Sequence, residues 1–397
     1  MLELAKNSLL KAKEDYPEFI IQQVKTPCYL ISEDVLERNC KTLDWVQKKT
    51  GAKILLALKA YSLPATFPLL SKYLAGVCAS GLFEAKLGRE YFQKEVHTFS
   101  PAYKEEELEA IARVSDVIIF NTIEQLVKFQ PRVKKINPQI QIGLRINPEY
   151  SEVEVELYNP CTPKSRFGVL SSELKEEHLS FLDGLHFHAL CEQDSIHLEK
   201  VLNAVKEKFY PYLSKIKWLN LGGGHHITRA GYNIDLLIRL IKDLKQEFHL
   251  DIYLEPGEAV VLNAGVAVTS VLEVITREQN IAIVDISAEN HLPDVLAMPY
   301  RPQIIGADLP QRKKYTYILG GPTCLAGDII GTYSFDNPLK PGDKLVLTDM
   351  ALYTFVKNTF FNGINLPSLA TFNLKEKQVK LIREFSYADY KSKFMEK

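Results

Sequence analysis

A lysine closing an apolar run is the first residue of this chain with chemical reach. Ile54-Leu55-Leu56-Ala57-Leu58 follows Gly51, ends at Lys59 and gives way to Pro64, the pattern of a buried strand delivering one cation at its C-terminal tip. An ammonium in apolar surroundings tends to lose its proton, and the free amine is then a nucleophile toward carbonyl groups. A lysine that snorkels to solvent at a strand end is the plainer alternative. Further on, Gly222-Gly223-Gly224-His225 follows the run Trp218 to Leu221, and three glycines let backbone amides approach an anion closely. Glu255-Pro256-Gly257 ends Ile252-Tyr253-Leu254, so a rigid turn sets a carboxylate beside that loop, unless it only caps the next helix. Leu185-His186-Phe187-His188 alternates, which points both imidazoles to one side of a strand.

With His225 and His226, those two histidines raise the alternative of a metal-dependent hydrolase. The sequence offers no acidic ligand set for it besides Glu255, and no metal is expected. A lysine, an anion cradle, a buried carboxylate and a flat imidazole fit another task better. They are the parts that hold pyridoxal 5'-phosphate by its aldehyde, phosphate, ring nitrogen and ring face.

These residues need elements that gather their strand tips. Short apolar runs alternate with helical stretches: Ile54 to Leu58, Val77 to Ala79, Val96 to Phe99, Val117 to Phe120, Ile140 to Ile146, Leu185 to His188, Trp218 to Leu221 and Ile252 to Leu254. The alternation predicts a (β/α)8 TIM-like barrel, with an open doubly wound sheet as the alternative. Lys59, Ser80, Ser100, Asn121, Arg145, Asn147, His188, the three glycines and Glu255 then fall at the C-terminal ends, where such barrels keep their chemistry. Past Asn263 the texture turns β-branched, in Val266 to Ile275, Ile281 to Ile286, Tyr315 to Leu319 and Lys344 to Leu347, with a turn signal at Pro341-Gly342-Asp343. This predicts a C-terminal mainly β domain, joined by a strand near Cys28. The expected division is 1–36 as an N-terminal extension and joining strand, 37–265 as barrel and 266–397 as β domain. Met1 to Tyr16 reads as helical, Phe19-Ile20-Ile21 as extended, and Ser32 as the opening of a helix.

Of 397 residues, 46% are hydrophobic and 24% charged, with a formal net charge of -1 and scattered basic residues. Neither nucleic acid nor a membrane surface is a natural partner for such a chain, and a small metabolite is. Cys28, Cys40, Cys78, Cys161, Cys191 and Cys324 lie far apart, as reduced thiols do. No apolar run approaches a bilayer span and no basic segment leads into a hydrophobic one at the start, so a cytoplasmic location is expected.

Taken in order, Ala57-Leu58-Lys59-Ala60, Cys78-Ala79-Ser80, Ser165-Arg166-Phe167-Gly168, Gly184 to His188, Gly222-Gly223-Gly224, Glu255-Pro256-Gly257, Gly321-Pro322-Thr323-Cys324 with Asp328, and Tyr353 resemble the fold-type III pyridoxal-phosphate decarboxylases. These are related to alanine racemase in the barrel and to ornithine and diaminopimelate decarboxylases over nearly the whole chain. Thr26-Pro27-Cys28-Tyr29, Gly184 to Glu192 and Glu255 to Ala259 are most similar to the branch acting on carboxynorspermidine or carboxyspermidine. The resemblance implies that Lys59 binds the cofactor covalently, His188 stacks on its ring, Glu255 pairs with the ring nitrogen, and Gly222, Gly223 and Gly224 hold the phosphate with help from Tyr353. It also implies a homodimer in which Cys324, the candidate proton donor or gate, and Asp328, a candidate substrate-binding residue, reach the partner subunit's site. Without the resemblance, Cys324 would read as a buried structural thiol.

Three departures stand out. Glu258 occupies the place of a phosphate-binding Arg, Leu325 that of an acidic residue after the cysteine, and Val77 that of an Asp. A carboxylate at Glu258 would repel phosphate and suits a cationic substrate. Carboxylated polyamines carry two further ammonium groups, and Asp294, in the polar loop Glu289 to Asp294, is the candidate for the second. The expected reaction is decarboxylation of carboxynorspermidine or carboxyspermidine in polyamine biosynthesis. The rivals are decarboxylation of diaminopimelate, ornithine or arginine, and a non-catalytic cofactor-binding protein.

Overall fold

The computed structural model describes residues 11–395. Two compact units emerge, one from Glu37 to Val260 and the other built from the chain on either side of it. The first residues of the expected N-terminal helix lie outside the described residues, and 11–15 are helical. Phe19-Ile20-Ile21 is not extended: Glu18–Ile21 is a short helix burying Ile20 and Ile21, three apolar residues being too few to show a period. Strand β1 (Cys28–Ser32) follows. Ser32 does open a helix, Glu33–Thr50, its Oγ accepting from the Val35 amide at 3.3 Å.

The unit from Glu37 to Val260 is a closed barrel of parallel strands: β2 (Lys53–Ala57), β3 (Gly76–Ala79), β4 (Glu95–Phe99), β5 (Val117–Phe120), β6 (Gln141–Arg145), β7 (Gly184–His186), β8 (Trp218–Asn220) and β9 (Asp251–Leu254), with β9 pairing back to β2. It is the predicted TIM-like barrel. The helices outside are amphipathic. Ile234–Phe248, for example, is capped by Asn233 accepting from the Leu236 amide at 3.0 Å and buries Leu237, Leu240, Ile241, Leu244 and Phe248.

In the barrel interior one large side chain fills what two glycines leave open. Gly143, Gly184 and Trp218 are neighbours in the register of β6, β7 and β8. A Cβ on Gly184 would lie 2.0 Å from the Trp218 ring, and one on Gly143 2.5 Å from it. Trp218 packs there with Leu55, Val117, Ile119 and Tyr253. Gly184→Ala should therefore overpack the interior and cost about 1–3 kcal/mol, read as a lower thermal midpoint in circular dichroism.

At the N-terminal ends of the strands, Lys53 Nζ lies 2.5 Å from Glu95 Oε1 and His97 Nε2 lies 3.2 Å from Glu95 Oε2. Burial raises the Glu95 carboxyl, but His97 and Lys53 outweigh it and hold the pKa at about 2. A depressed carboxyl stabilises the fold fully above its unfolded pKa, and that contribution fades as pH falls toward the folded value. Glu95→Gln should thus lower the urea midpoint at pH 6 more than at pH 3, and an equal loss at both would remove this carboxylate from the acid response.

The other unit is a mixed sheet. Its strands are β10 (Gly265–Ile275), β11 (Asn280–Val284), β12 (Tyr315–Gly320), β13 (Ile329–Phe335), β14 (Lys344–Thr348), β15 (Ser368–Asn373) and β16 (Gln378–Arg383). The order is β13-β12-β11-β10-β1-β15-β16, with β14 also on β10, so the strand at Cys28 joins this sheet as predicted. The turn before β14 has Gly342 at φ +91, a conformation that suits glycine. Glu289 to Asp294 is not a polar loop: it holds most of the short helix Ala288–His291 and the first residue of another, Asp294–Ala297, with Asn290, His291 and Leu292 buried. Among the described residues no helix is long and apolar enough to cross a membrane.

Candidate active site

Lys59 sits in the turn after β2 and is exposed. Neighbouring chain fixes its position: the Leu58 amide donates to Cys78 O at 3.0 Å and the Ala57 amide to Pro256 O at 3.3 Å. Gly257 allows this approach, because a Cβ there would lie 2.5 Å from the Ala60 Cβ. Cys78 faces the same neighbourhood as Lys59 and Glu255, and burial raises its thiol pKa. Val77 points the other way, against Gly88, whose added Cβ would lie 2.5 Å from a Val77 methyl. The alternation of β3 thus carries the Val77 departure outside the barrel interior.

Glu255 has both oxygens engaged. His186 Nε2 lies 3.1 Å from Oε2, and Asn220 Nδ2 donates to Oε1 at 2.7 Å. Burial alone would raise this carboxyl; the imidazole and amide reverse that and hold it at about 2. Burial also lowers the His186 pKa, so at pH 7 a neutral ring donates through Nε2 to an anion. His188 accepts the Gly223 amide at Nδ1, 2.9 Å away. Burial, with Lys59 and Arg145 next, drives its pKa well below 6.5 and keeps the ring neutral. Arg145 lies with its guanidinium 4.7 Å from the Phe99 ring and 4.4 Å from the Phe167 ring.

The glycine loop meets a steric demand as well as an electrostatic one. A Cβ on Gly222 would lie 2.2 Å from Phe187 O, on Gly223 2.6 Å from Glu255 O, and on Gly224 2.0 Å from Leu190 O. The Gly222 amide donates to Asn220 Oδ1 at 2.9 Å and the Gly223 amide to His188. The Gly224 and His225 amides have no protein acceptor among the described residues. Those two donors fit a phosphate. With Lys59 for the aldehyde, Glu255 for the ring nitrogen and His188 for the ring face, the residues present fit pyridoxal phosphate.

The four histidines of the metal alternative have separate duties. His186 meets Glu255, His188 the Gly223 amide, His225 Leu221 O at 3.3 Å and His226 Glu258 Oε2 at 3.1 Å. Glu258 opens the short helix Glu258–Val261 beside the glycine loop's His226. Its Oε1 has no protein donor among the described residues.

The remaining predicted residues lie in the sheet unit. Cys324 is exposed, which excludes the buried-thiol alternative, and Asn362 Oδ1 accepts its amide at 2.7 Å. Asp328 is buried and accepts from Ser287 Oγ (2.9 Å), Ala288 N (2.7 Å), Glu289 N (3.2 Å), Thr323 N (3.2 Å) and Thr323 Oγ1 (2.7 Å). It clamps the Thr323-Cys324 loop to the start of a helix. Asp294 pairs with Lys357, whose Nζ also lies 5.6 Å from the Tyr353 ring. Tyr353 itself has φ +49.

Residues 28–351 match the family model described as pyridoxal-dependent decarboxylase, C-terminal sheet domain. The chain belongs to the pyridoxal-dependent decarboxylases. This decarboxylase is 45% identical over 381 residues to the carboxynorspermidine/carboxyspermidine decarboxylase of Campylobacter jejuni, covering 93% of this chain and 98% of that one. It is 40% identical over 375 residues to the carboxyaminopropylagmatine decarboxylase of Synechocystis, covering 94% and 96%. Among solved structures, carboxynorspermidine decarboxylase from Campylobacter jejuni complexed with norspermidine matches with a TM-score of 0.87 and 42% identity over 93% of this chain and 100% of that one.

Sequence reasoning did not single out Asn220 or Glu84, and it read His186 and His226 only as parts of a metal alternative. Asn220 stands at the tip of β8 just before the glycines, a place where polar residues deserve the same reading as the other strand tips. Glu84 Oε2 accepts the Ser80 amide at 2.6 Å and lies near enough to Lys59 for its charge to be felt.

Proposed function

We propose that this decarboxylase removes the α-carboxylate of a carboxylated polyamine, carboxynorspermidine or carboxyspermidine, releasing carbon dioxide and norspermidine or spermidine. The whole-length similarity to a relative that acts, by name, on these two compounds supports this reading. The observation that carries it is the Glu258 carboxylate beside the glycine loop, with one oxygen free of protein donors among the described residues. The α-carbon loses its carboxylate as carbon dioxide and gains one proton, so the product keeps every amine. Bound pyridoxal phosphate supplies the carbonyl that takes up the substrate amine and the ring that draws electrons from the α-carbon.

The chain's own residues do the rest. Lys59 would hold the cofactor by its aldehyde and give way to the substrate amine. His188, neutral and fixed by the Gly223 amide, would cover one ring face, and Glu255, as an anion, would meet the ring nitrogen. Glu258 Oε1 receives the nearer substrate ammonium. Asp294 receives the second by exchanging Lys357 for it, one cation replacing another. Cys324, with its loop clamped by Asp328, supplies the proton across a homodimer interface, and Tyr353 assists the phosphate.

Carbon dioxide release measured side by side on carboxynorspermidine, carboxyspermidine, carboxyaminopropylagmatine, diaminopimelate and ornithine tests the substrate class. The first two should lead, and a lead by diaminopimelate or ornithine would reject the reading. The shared site has its own test: mixing inactive Lys59→Ala with inactive Cys324→Ala should partly restore activity, since some mixed dimers carry one intact composite site. No recovery despite proven subunit exchange would reject it.

A further inference from the structure

We infer that Asn220 is a positioning residue that locks the cofactor's two anchors, Glu255 and the glycine loop, into one frame. The side chain is fully buried and divides its two ends between them. Nδ2 donates to Glu255 Oε1 at 2.7 Å, and Oδ1 accepts the Gly222 amide at 2.9 Å. The amide can point only one way. Turned over, its NH2 would face the Gly222 N–H and its oxygen the carboxylate, two like contacts in place of two hydrogen bonds. The backbone is equally fixed, because Asn220 O accepts the Phe187 amide at 3.0 Å and the Glu255 amide donates to Gly222 O at 2.8 Å.

His186, one strand further round on β7, holds the other oxygen, Glu255 Oε2, so both carboxylate oxygens are held and the group cannot rotate. The distance from phosphate to ring nitrogen is invariant in the cofactor, and Asn220 makes the matching distance invariant in the protein. Preorganisation of this kind strengthens binding without a new contact. The inference rests on the pairing of Glu255 with the ring nitrogen put forward above.

The experiment compares the affinity of the apo-protein for pyridoxal 5'-phosphate and for its 1-deaza analogue, in which CH replaces the ring nitrogen, by spectroscopic titration. The ratio of the two reports the Glu255 contact alone, since any change in phosphate affinity cancels. Wild type should prefer the nitrogen-bearing form. Asn220→Asp keeps the Gly222 acceptor but sets an oxygen against Glu255, and should cut the preference by about tenfold. Asn220→Leu, which brings no charge, should cut it too while weakening both ligands. In a Glu255→Gln background, Asn220→Asp should leave the ratio unchanged, as two changes acting through one contact do not add.

A wild-type preference retained in Asn220→Asp or Asn220→Leu would overturn the inference, because a purely structural residue would weaken both ligands equally. Equal affinities in wild type would overturn both the inference and the Glu255 assignment. The ratio involves no substrate, so failure of the carboxypolyamine reading would leave it intact.

Discussion

Lys59→Ala should lower turnover by about a thousandfold or more, because it removes the amine proposed to hold the cofactor covalently and to be exchanged for substrate. The apo-protein should fold as before. Lys59 is exposed and has no hydrogen bond or ion pair among the described residues, and its turn is held by backbone bonds from Leu58 and Ala57 that alanine preserves. Surface substitutions of that kind change stability by roughly 0.5 kcal/mol or less. The expected result is a thermal midpoint near that of wild type, no visible absorption that borohydride bleaches, and no carbon dioxide release. Borohydride labelling of another lysine in the wild-type protein would refute the assignment. Loss of activity with a collapsed thermal midpoint would count as unfolding and not as loss of the nucleophile.

The barrel was legible because its strands are buried on both faces. They read as short apolar runs, and a polar residue at the end of each stands out against them. The sheet unit was less legible. β16 is mostly exposed along Gln378–Arg383, and β13 mixes Gly331, Thr332, Tyr333 and Ser334, so neither shows an apolar run. The site divided along a different line. Lys59, Glu255 and the glycines announce themselves by type, since each is unusual where it stands. Asn220 and His186 act through the partners they hold, and partners 35 and 69 residues away in sequence leave no local trace. Asp328 shows the converse: the motif marks the carboxylate, but its hydrogen bonds to Ser287, Ala288, Glu289 and Thr323 become visible only in three dimensions.

Glu258→Gln should lower kcat/KM for a carboxylated polyamine by about tenfold to a hundredfold, the span of a lost charge-assisted hydrogen bond of roughly 1.5–3 kcal/mol. Glutamine keeps the size of the side chain and an oxygen to face His226, so the bond between Glu258 Oε2 and His226 Nε2 has a neutral replacement. What it cannot replace is the negative charge offered to an ammonium by Oε1. Ornithine and diaminopimelate are shorter and place their distal charge differently, so any slow turnover of them should fall less than turnover of carboxynorspermidine. Pyridoxal phosphate should stay bound, because the donors proposed for its phosphate are the Gly224 and His225 amides, which have no protein acceptor among the described residues, and not this carboxylate. Removing a negative charge near the phosphate should if anything tighten the cofactor. If Glu258→Gln instead loses pyridoxal phosphate while the protein that retains it keeps wild-type selectivity among these substrates, Glu258 serves the cofactor and the carboxypolyamine reading loses its physical support.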